Sequence, residues 1–97
     1  MMPLLLRQGK NMKDKIKTYI NFAIKSGECA IGTDKILKLK RAEVIIVSPE
    51  LSNNALNKIK NKNISKIITI SEVFPEGVLA IAIINKNLAD AIVNEAD

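Results

Sequence analysis

In the first third of the chain, apolar residues recur at the spacing of one helix face. Between residues 12 and 26 they fall at i, i+3, i+4, i+7 and i+8, and the remaining positions are largely polar: the apolar set is Ile16, Tyr19, Ile20, Ala23 and Ile24. This periodicity is typical of an amphipathic helix with one buried face. The Ser26-Gly27 pair ends the pattern, because glycine readily adopts the left-handed conformation that closes many helices. The pattern therefore predicts a helix over 12–26.

Four apolar runs predict strands. Residues 44–47 form a continuous β-branched run, which is typical of a strand buried on both faces, and 78–84 form a longer apolar run. A short run over 28–31 ends at Gly32, and an isoleucine-rich run over 64–70 follows an Asn/Lys turn. The residues between the last two runs include proline and glycine, so they are predicted to form a loop.

Three more helices are predicted between these strands from capping residues and apolar spacing. Thr33 or Asp34 is predicted to cap a second helix that runs to about residue 40 and turns Ile36 and Leu37 inward. Ser52 is a candidate cap for a third helix. Asn85 or Asn87 is predicted to cap a last helix over 88–95, so the order of elements is α-β-α-β-α-β-β-α.

This order predicts an α/β fold, a three-layer α/β/α sandwich around a mixed four-stranded sheet. Strands that are apolar on both faces need helices on both faces, and the short connection between the third and fourth strands allows an antiparallel arrangement. At 97 residues the chain is expected to hold one domain, over 12–97. Residues 1–11 are interpreted as an N-terminal extension, either a disordered arm or a stretch upstream of a native start at Met12.

Charge is distributed unevenly along the chain. The formal net charge is +5. Residues 1–43 hold ten basic and four acidic residues, whereas 44–97 hold five basic and six acidic ones. Basic residues peak at 35–41 and again at 58–66. Two interpretations stay open at this stage: such clusters attract a polyanion, or they simply keep a small domain soluble.

Several kinds of chemistry lack their usual residues. The chain has no histidine and one cysteine, so the common general base, most metal-ligand patterns and an internal disulfide are excluded. Neither a G-x-G-x-x-G nor a P-loop motif occurs, and the acidic residues are scattered. Cys29, in an apolar run, is interpreted as a core residue. We therefore predict a protein that is not an enzyme and has no metal or cofactor. Without an apolar run of membrane-spanning length, it is expected to be cytoplasmic, with no membrane partner.

The turn over 31–35 is the strongest candidate for a binding site. A helix start directs unpaired N–H groups and a positive dipole end outward, which suits phosphates or base-edge acceptors. Asp34 beside it can accept hydrogen bonds from a guanine, while Lys35 and Lys38 can neutralise phosphates. A plain helix cap followed by a solvated lysine face explains the same residues, and both interpretations remain.

A resemblance bears on this turn. From Met12 onward the chain resembles the family of the archaeal ribosomal protein L-seven-Ae and the eukaryotic L-thirty-e, and most closely its small bacterial ribosome-associated members. The resemblance is carried by Gly32-Thr33-Asp34-Lys35-Ile36-Leu37-Lys38, by the strands over 42–47 and 78–84, and by Leu51-Ser52-Asn53-Asn54 and Asn85-Lys86-Asn87-Leu88-Ala89. It implies the α/β/α fold predicted above.

The resemblance also implies an RNA-binding role and the residues that perform it. Family members recognise kink-turns, sharply bent RNA helices, through the motif G-[AV]-N-E-x-x-K. Gly32 and Lys38 match its glycine and lysine, whereas Asp34 and Lys35 stand where the family has Asn and Glu. A second family contact comes from the loop before the last strand, here 73–77, and the whole loop over 71–77 is shorter than in the family. Its candidate residues are Val73, Phe74, Pro75 and Gly77.

Together these observations predict a non-enzymatic RNA-binding protein of ribosomal-protein type, a monomer that binds bent or kink-turn-like rRNA or mRNA. The ribosome is a candidate partner. Gly32, Thr33 and Asp34 are expected at the RNA bend, and Lys35, Lys38 and Lys40 at its phosphates. Phe74 is either a base-stacking residue or an apolar plug at the sheet edge. The alternative function is a ribosome-assembly or translation-associated protein-interaction module with little RNA specificity.

Overall fold

The computed structural model describes residues 12–62 and 66–96 of the chain, with the backbone alone at Met12. The helices are α1 (Met12–Ser26), α2 (Thr33–Lys38), α3 (Asn53–Lys62) and α4 (Lys86–Ala96), and the strands are β1 (Cys29–Ile31), β2 (Val44–Val47), β3 (Lys66–Thr69) and β4 (Ala80–Ile83). The predicted order of elements is confirmed. The predicted extension over 1–11 and the start of the third apolar run lie outside the described residues.

The four strands form one sheet in the order β1-β4-β2-β3. The last strand, β4, is inserted between β1 and β2 and runs antiparallel to both. The β2 and β3 strands pair in parallel. The predicted mixed sheet is confirmed. The third and fourth strands do run in opposite directions, but β2 separates them, so the loop between them crosses over β2.

The core lies on both faces of the sheet, because alternate strand residues point to opposite sides. Val44 and Ile46 of β2 face the layer of α1 and α4, whereas Ile45 and Val47 face α2 and α3. All four residues are buried, as the β-branched run predicted. The helices bury their apolar stripes against these faces, with Ile16, Ile20, Leu88 and Ile92 on one side and Ile36 and Ile59 on the other. The three-layer α/β/α sandwich is confirmed.

Helix termini follow the predicted capping chemistry at three places. Gly27, at φ +75°, closes α1 with two backbone bonds: its own N–H donates to Ile24 O, and the N–H of Glu28 donates to Ala23 O. At α3 the Ser52 hydroxyl accepts from Ala55 N at 3.2 Å. Of the two candidates at α4, Asn85 is the cap, and its Oδ1 accepts from Leu88 N at 3.0 Å.

The prediction was wrong at both ends of α2. Neither Thr33 nor Asp34 is its cap: the carbonyl of Gly32 accepts the first helical bond, from Ile36 N at 3.0 Å, and no side chain caps this end. The helix ends at Lys38 rather than near Lys40. The next residue, Leu39, is extended at φ −74° and ψ 145°, so the chain leaves the helix there and heads towards β2.

The sheet has two ends with different connections, and both matter below. At the Gly32 end, defined by Gly32, Ser48, Ile70 and Leu79, strands β1, β2 and β3 finish and β4 begins. At the Lys66 end, defined by Glu28, Glu43, Lys66 and Ile84, β1, β2 and β3 begin and β4 finishes. Helices α1, α2 and α3 therefore run from the Gly32 end to the Lys66 end, and α4 runs back.

Candidate nucleic-acid interface

Three connecting segments meet at the Gly32 end, held by backbone hydrogen bonds across the sheet. Gly32 N–H donates to Ala80 O at 2.9 Å, and Ser48 N–H donates to Leu79 O at 2.8 Å. The N–H of Ile70 donates to Val47 O at 3.0 Å. The turn after β1, the turn after β2 and the 71–79 loop are thereby brought together, although Gly32 and Ile70 are 38 positions apart in sequence.

The turn at Gly32 combines an unusual backbone conformation with accessible polar side chains. Gly32 has φ +93° and ψ 153°, a region that is essentially restricted to glycine. Gly32 and Thr33 are half-buried, while Asp34 and Lys35 are exposed. The four residues predicted at the RNA bend, or next to it, therefore lie side by side at this end, with the charged pair directed to solvent.

The two other predicted lysines lie away from this turn. Lys38 is the last residue of α2, and six residues of helix span about 9 Å. Lys40 is farther along the chain, in the connection that leads to Glu43, whose N–H donates to Ile83 O at the Lys66 end. Both side chains are exposed. The structure therefore brings Lys35 next to Gly32 but places Lys40 towards the opposite end of the sheet.

The predicted second contact loop is divided between core and surface. Val73 is only 2% exposed and belongs to the core cluster beneath α1 and α4, so its side chain holds the loop in place. Phe74 is half-buried and packs against the same cluster, which agrees with an apolar plug. Pro75 and Gly77 are exposed. A hydrogen bond from Val78 N to Pro75 O turns the chain back towards β4.

A shallow cleft of about 380 Å³ opens between this loop and the turn after β2. Phe74 and Pro75 line one part of it, Ser48 and Pro49 another, and Leu79 lies at its base, with 39% of its surface exposed. The same cleft is bordered by Glu50 and Glu72. It offers an apolar surface of limited size with carboxylates beside it.

Carboxylates are concentrated at the Gly32 end, a feature that sequence reasoning missed. Asp34, Glu50, Glu72 and Glu76 come from the three converging segments and are all exposed. Lys13, at the start of α1, donates to Glu72 Oε1 at 2.8 Å, and this hydrogen bond with its charge lowers the pKa of the Glu72 carboxyl. In the sequence these acids are scattered, and only the sheet topology reveals that they share one end.

The single thiol does not resemble an activated nucleophile. Cys29 is in β1, partly buried, and its burial raises the pKa of the thiol. A raised pKa means less thiolate at neutral pH, which is the reactive form. Its side chain packs against the core cluster beneath α1 and α4, as predicted for a core residue.

Residues 12–62 and 66–96 contain no group of three or more acidic, cysteine or histidine side chains that could hold a metal ion. Within these same ranges, no helix has the length and apolar character needed to cross a bilayer.

Comparison with models of known protein families finds no match for this chain, and comparison with curated proteins finds no sequence similar to it.

Proposed function

We propose that this chain is a non-enzymatic, cytoplasmic RNA-binding protein of ribosomal-protein type, which binds bent or kink-turn-like structured RNA at the Gly32 end of its sheet. The RNA would be rRNA or mRNA, and the ribosome is a candidate partner. One observation carries the proposal: the two segments that the family resemblance assigns to RNA contact, the turn at Gly32 and the 73–77 loop, lie at the same end of the sheet. Gly32 N–H donates to Ala80 O, three residues beyond that loop.

The chemistry of this end favours contact with base edges over contact with phosphates. Asp34 is exposed beside the Gly32 turn and has the acceptor oxygens that a guanine N–H edge requires. The neighbouring carboxylates of Glu50 and Glu76 repel phosphates. An RNA that presents unpaired or sheared guanine edges at a bend therefore fits this surface better than a regular duplex does.

The loop side of the surface supports an unpaired nucleotide. Phe74 and Pro75 line the cleft, and buried Val73 fixes the loop that carries them. An unstacked base packs well against apolar and aromatic side chains, as in most sequence-specific RNA recognition. The cleft, at about 380 Å³, has room for an unstacked base.

The test compares two double variants that leave the net charge unchanged. Asp34→Ala with Lys35→Ala removes both charges beside Gly32, and Lys86→Ala with Asp90→Ala removes an exposed pair from α4. Fluorescence titration uses a labelled kink-turn RNA and a straight duplex. We expect only the first variant to lose affinity for the kink-turn, roughly tenfold, because one good base contact is worth about 1–3 kcal/mol.

Two results would overturn the proposal. One is equal, undetectable binding of the unsubstituted protein to both RNAs at low salt. The other is an equal loss of kink-turn affinity in both double variants, because the α4 pair lies outside the Gly32 turn. Circular dichroism of both variants establishes that each remains folded.

A specific observation supports the protein-interaction module as a second candidate. Leu79 is 39% exposed in a cleft flanked by carboxylates, an arrangement that also suits a partner with one apolar anchor and basic neighbours. In that case a partner should stay bound after nuclease treatment at raised salt, and Leu79→Ser should release it. Loss of every partner on nuclease treatment would reject this candidate.

A further inference from the structure

Lysines from α2, from the connection that follows it, from α3 and from β3 lie at the Lys66 end of the molecule. Helices α2 and α3 pack side by side on one face of the sheet, and both finish at this end. Strand β3 begins there, with Lys66 paired to Val44. The set consists of Lys38, Lys40, Lys60, Lys62 and Lys66, all exposed, and is called the basic end below.

The acidic residues at this end are already engaged by other groups. Glu43 Oε2 accepts from Arg41 at 3.1 Å. Glu28 accepts from the Ser26 hydroxyl at 3.0 Å and from the Asn85 amide at 3.0 Å. Within the described ranges no ion pair involves a lysine of the basic end. The basic end therefore holds five lysines against two carboxylates, Glu28 and Glu43, one of which is paired with Arg41, whereas Asp34, Glu50, Glu72 and Glu76 lie at the Gly32 end.

Helix stability explains only part of this arrangement. Lys60 and Lys62 lie in the last turn of α3, where a cation stabilises the helix by about 0.3–1 kcal/mol through the helix dipole. Lys40 and Lys66 lie outside the helices, so the dipole gives no reason for their positions. A second role is needed for the group as a whole.

The composition of the basic end selects one class of ligand. Lysine is depleted in protein–protein interfaces, where aromatic residues, methionine and arginine are enriched. A membrane-surface site needs an apolar face to insert between lipids. The large hydrophobic residues exposed in the described ranges are Phe22, Leu79 and Ile84, and α2, α3 and β3 carry none of them. Ile84 lies at this end, but it follows β4, which β2 separates from β3, and one isoleucine does not form an apolar face. Lysines without an apolar face beside them match the regular negative charge of a nucleic-acid backbone.

We propose that the basic end is a second RNA contact, which binds the phosphodiester backbone of a helical arm whose bend lies at the Gly32 end. The inference rests on the proposed function for its RNA. The layer of α2 and α3 extends from one end of the sheet to the other. The two ends are about 13 Å apart, which is the length of a four-residue strand. Exposed Lys58 lies on α3 between the two ends. An arm leaving the bend along this layer reaches the basic end within a few base pairs.

The test compares two double variants, one that loses two lysines of the basic end and a control that loses two lysines elsewhere. One variant carries Lys40→Gln and Lys60→Gln, and the control variant carries Lys17→Gln and Lys25→Gln on α1. All four side chains are exposed, none of them is in an ion pair within the described ranges, and both variants lose the same net charge. The affinity for a kink-turn RNA with a long arm is measured over a series of salt concentrations. We expect the slope of log Kd against log salt to fall by about 0.9 for each lost contact in the basic-end variant only.

A second RNA, with the arm cut back to the bend, locates the contact. The unsubstituted protein and the α1 variant should bind the short-arm RNA more weakly than the long-arm RNA, whereas the basic-end variant should bind both alike. Equal salt slopes and equal dependence on the arm in the two variants would overturn the proposed RNA contact at the basic end. The proposal of RNA binding at the Gly32 end would be unaffected. Failure of the unsubstituted protein to bind either RNA would overturn both proposals.

Discussion

The conformation of Gly32 leads to a sharp prediction about substitutions at two glycines. Gly32 has φ +93° and ψ 153°, whereas Gly27, at the other end of the sheet, has φ +75°. The left-handed helical region near Gly27 is accessible to asparagine at modest cost, but the region occupied by Gly32 is essentially restricted to glycine. Replacing each glycine by asparagine therefore separates two kinds of backbone requirement.

The magnitude follows from the space around each residue. A Cβ added at either glycine meets no atom within 4 Å, so a substitution creates no steric clash and its cost is conformational. Gly32→Asn should lower the free energy of unfolding by about 1–3 kcal/mol. Gly27→Asn should cost well under that, because asparagine is a common residue at this helix-closing position.

Urea unfolding followed by circular dichroism measures both values. Thermal unfolding gives the same comparison, because a loss of 1 kcal/mol shifts the melting temperature of a domain this small by about 4–8 °C. The melting temperatures of the two variants should therefore differ clearly. RNA titration adds a second readout: Gly32→Asn should weaken binding beyond its effect on stability, because the turn moves relative to Ala80, and Gly27→Asn should leave binding unchanged.

Equal destabilisation by the two substitutions would refute the reasoning, because it would mean that the backbone at Gly32 is no more restrictive than at Gly27. A stable Gly32→Asn variant with unchanged RNA affinity would contradict the role of this turn in the proposed site.

Three further substitutions test other parts of the structure. Ile46→Ala should cost about 2–5 kcal/mol in urea unfolding, because Ile46 is fully buried in a central strand; Ile46→Val, at about 0.5–1.5 kcal/mol, keeps the effect measurable if the alanine variant does not fold. Asn85→Ala should cost about 0.5–2 kcal/mol by removing the cap of α4, whereas Asn87→Ala, an exposed neighbour, should cost little by the same measurement. Lys13 lowers the pKa of the Glu72 carboxyl in the folded protein. This carboxyl therefore stabilises the fold at a pH above its usual pKa of 4.5, and the effect is lost as the pH falls through its pKa in the folded state. The melting temperature of Glu72→Gln should therefore lie below that of the unsubstituted protein at neutral pH and converge with it in acid.

Local pattern was sufficient to predict most elements of this fold. The spacing of Ile16, Ile20 and Ala23 defined α1, and the β-branched run defined β2, because burial on one or two faces leaves a direct periodicity in the sequence. Strand order was not predictable in the same way. The apolar runs of β2 and β4 are similar, and no local feature of the sequence indicates that β4 lies between β1 and β2.

The candidate site shows the same division. The Gly32 turn was identifiable from its glycine and its charged neighbours, and its cap was misplaced by one or two residues because a glycine carbonyl can begin a helix without any side chain. The basic clusters were visible in the sequence, but the placement of the charged residues at the two ends of the sheet was not predictable. Lys40 is close to Gly32 in sequence, but α2 carries the chain across the sheet between them, whereas Glu50 and Glu76 are distant in sequence and share one end.

The insertion of β4 between β1 and β2 has a consequence for synthesis on the ribosome. Until Ile83 has left the exit tunnel, β1 has no strand to pair with, and the edge of β2 opposite β3 stays open. The first three strands of the nascent chain therefore cannot form the complete sheet until most of the chain has emerged. Folding should then occur in one late step, dominated by contacts between residues far apart in sequence. A chain stalled before residue 80 would expose β-branched strands with unpaired edges, which are prone to aggregate.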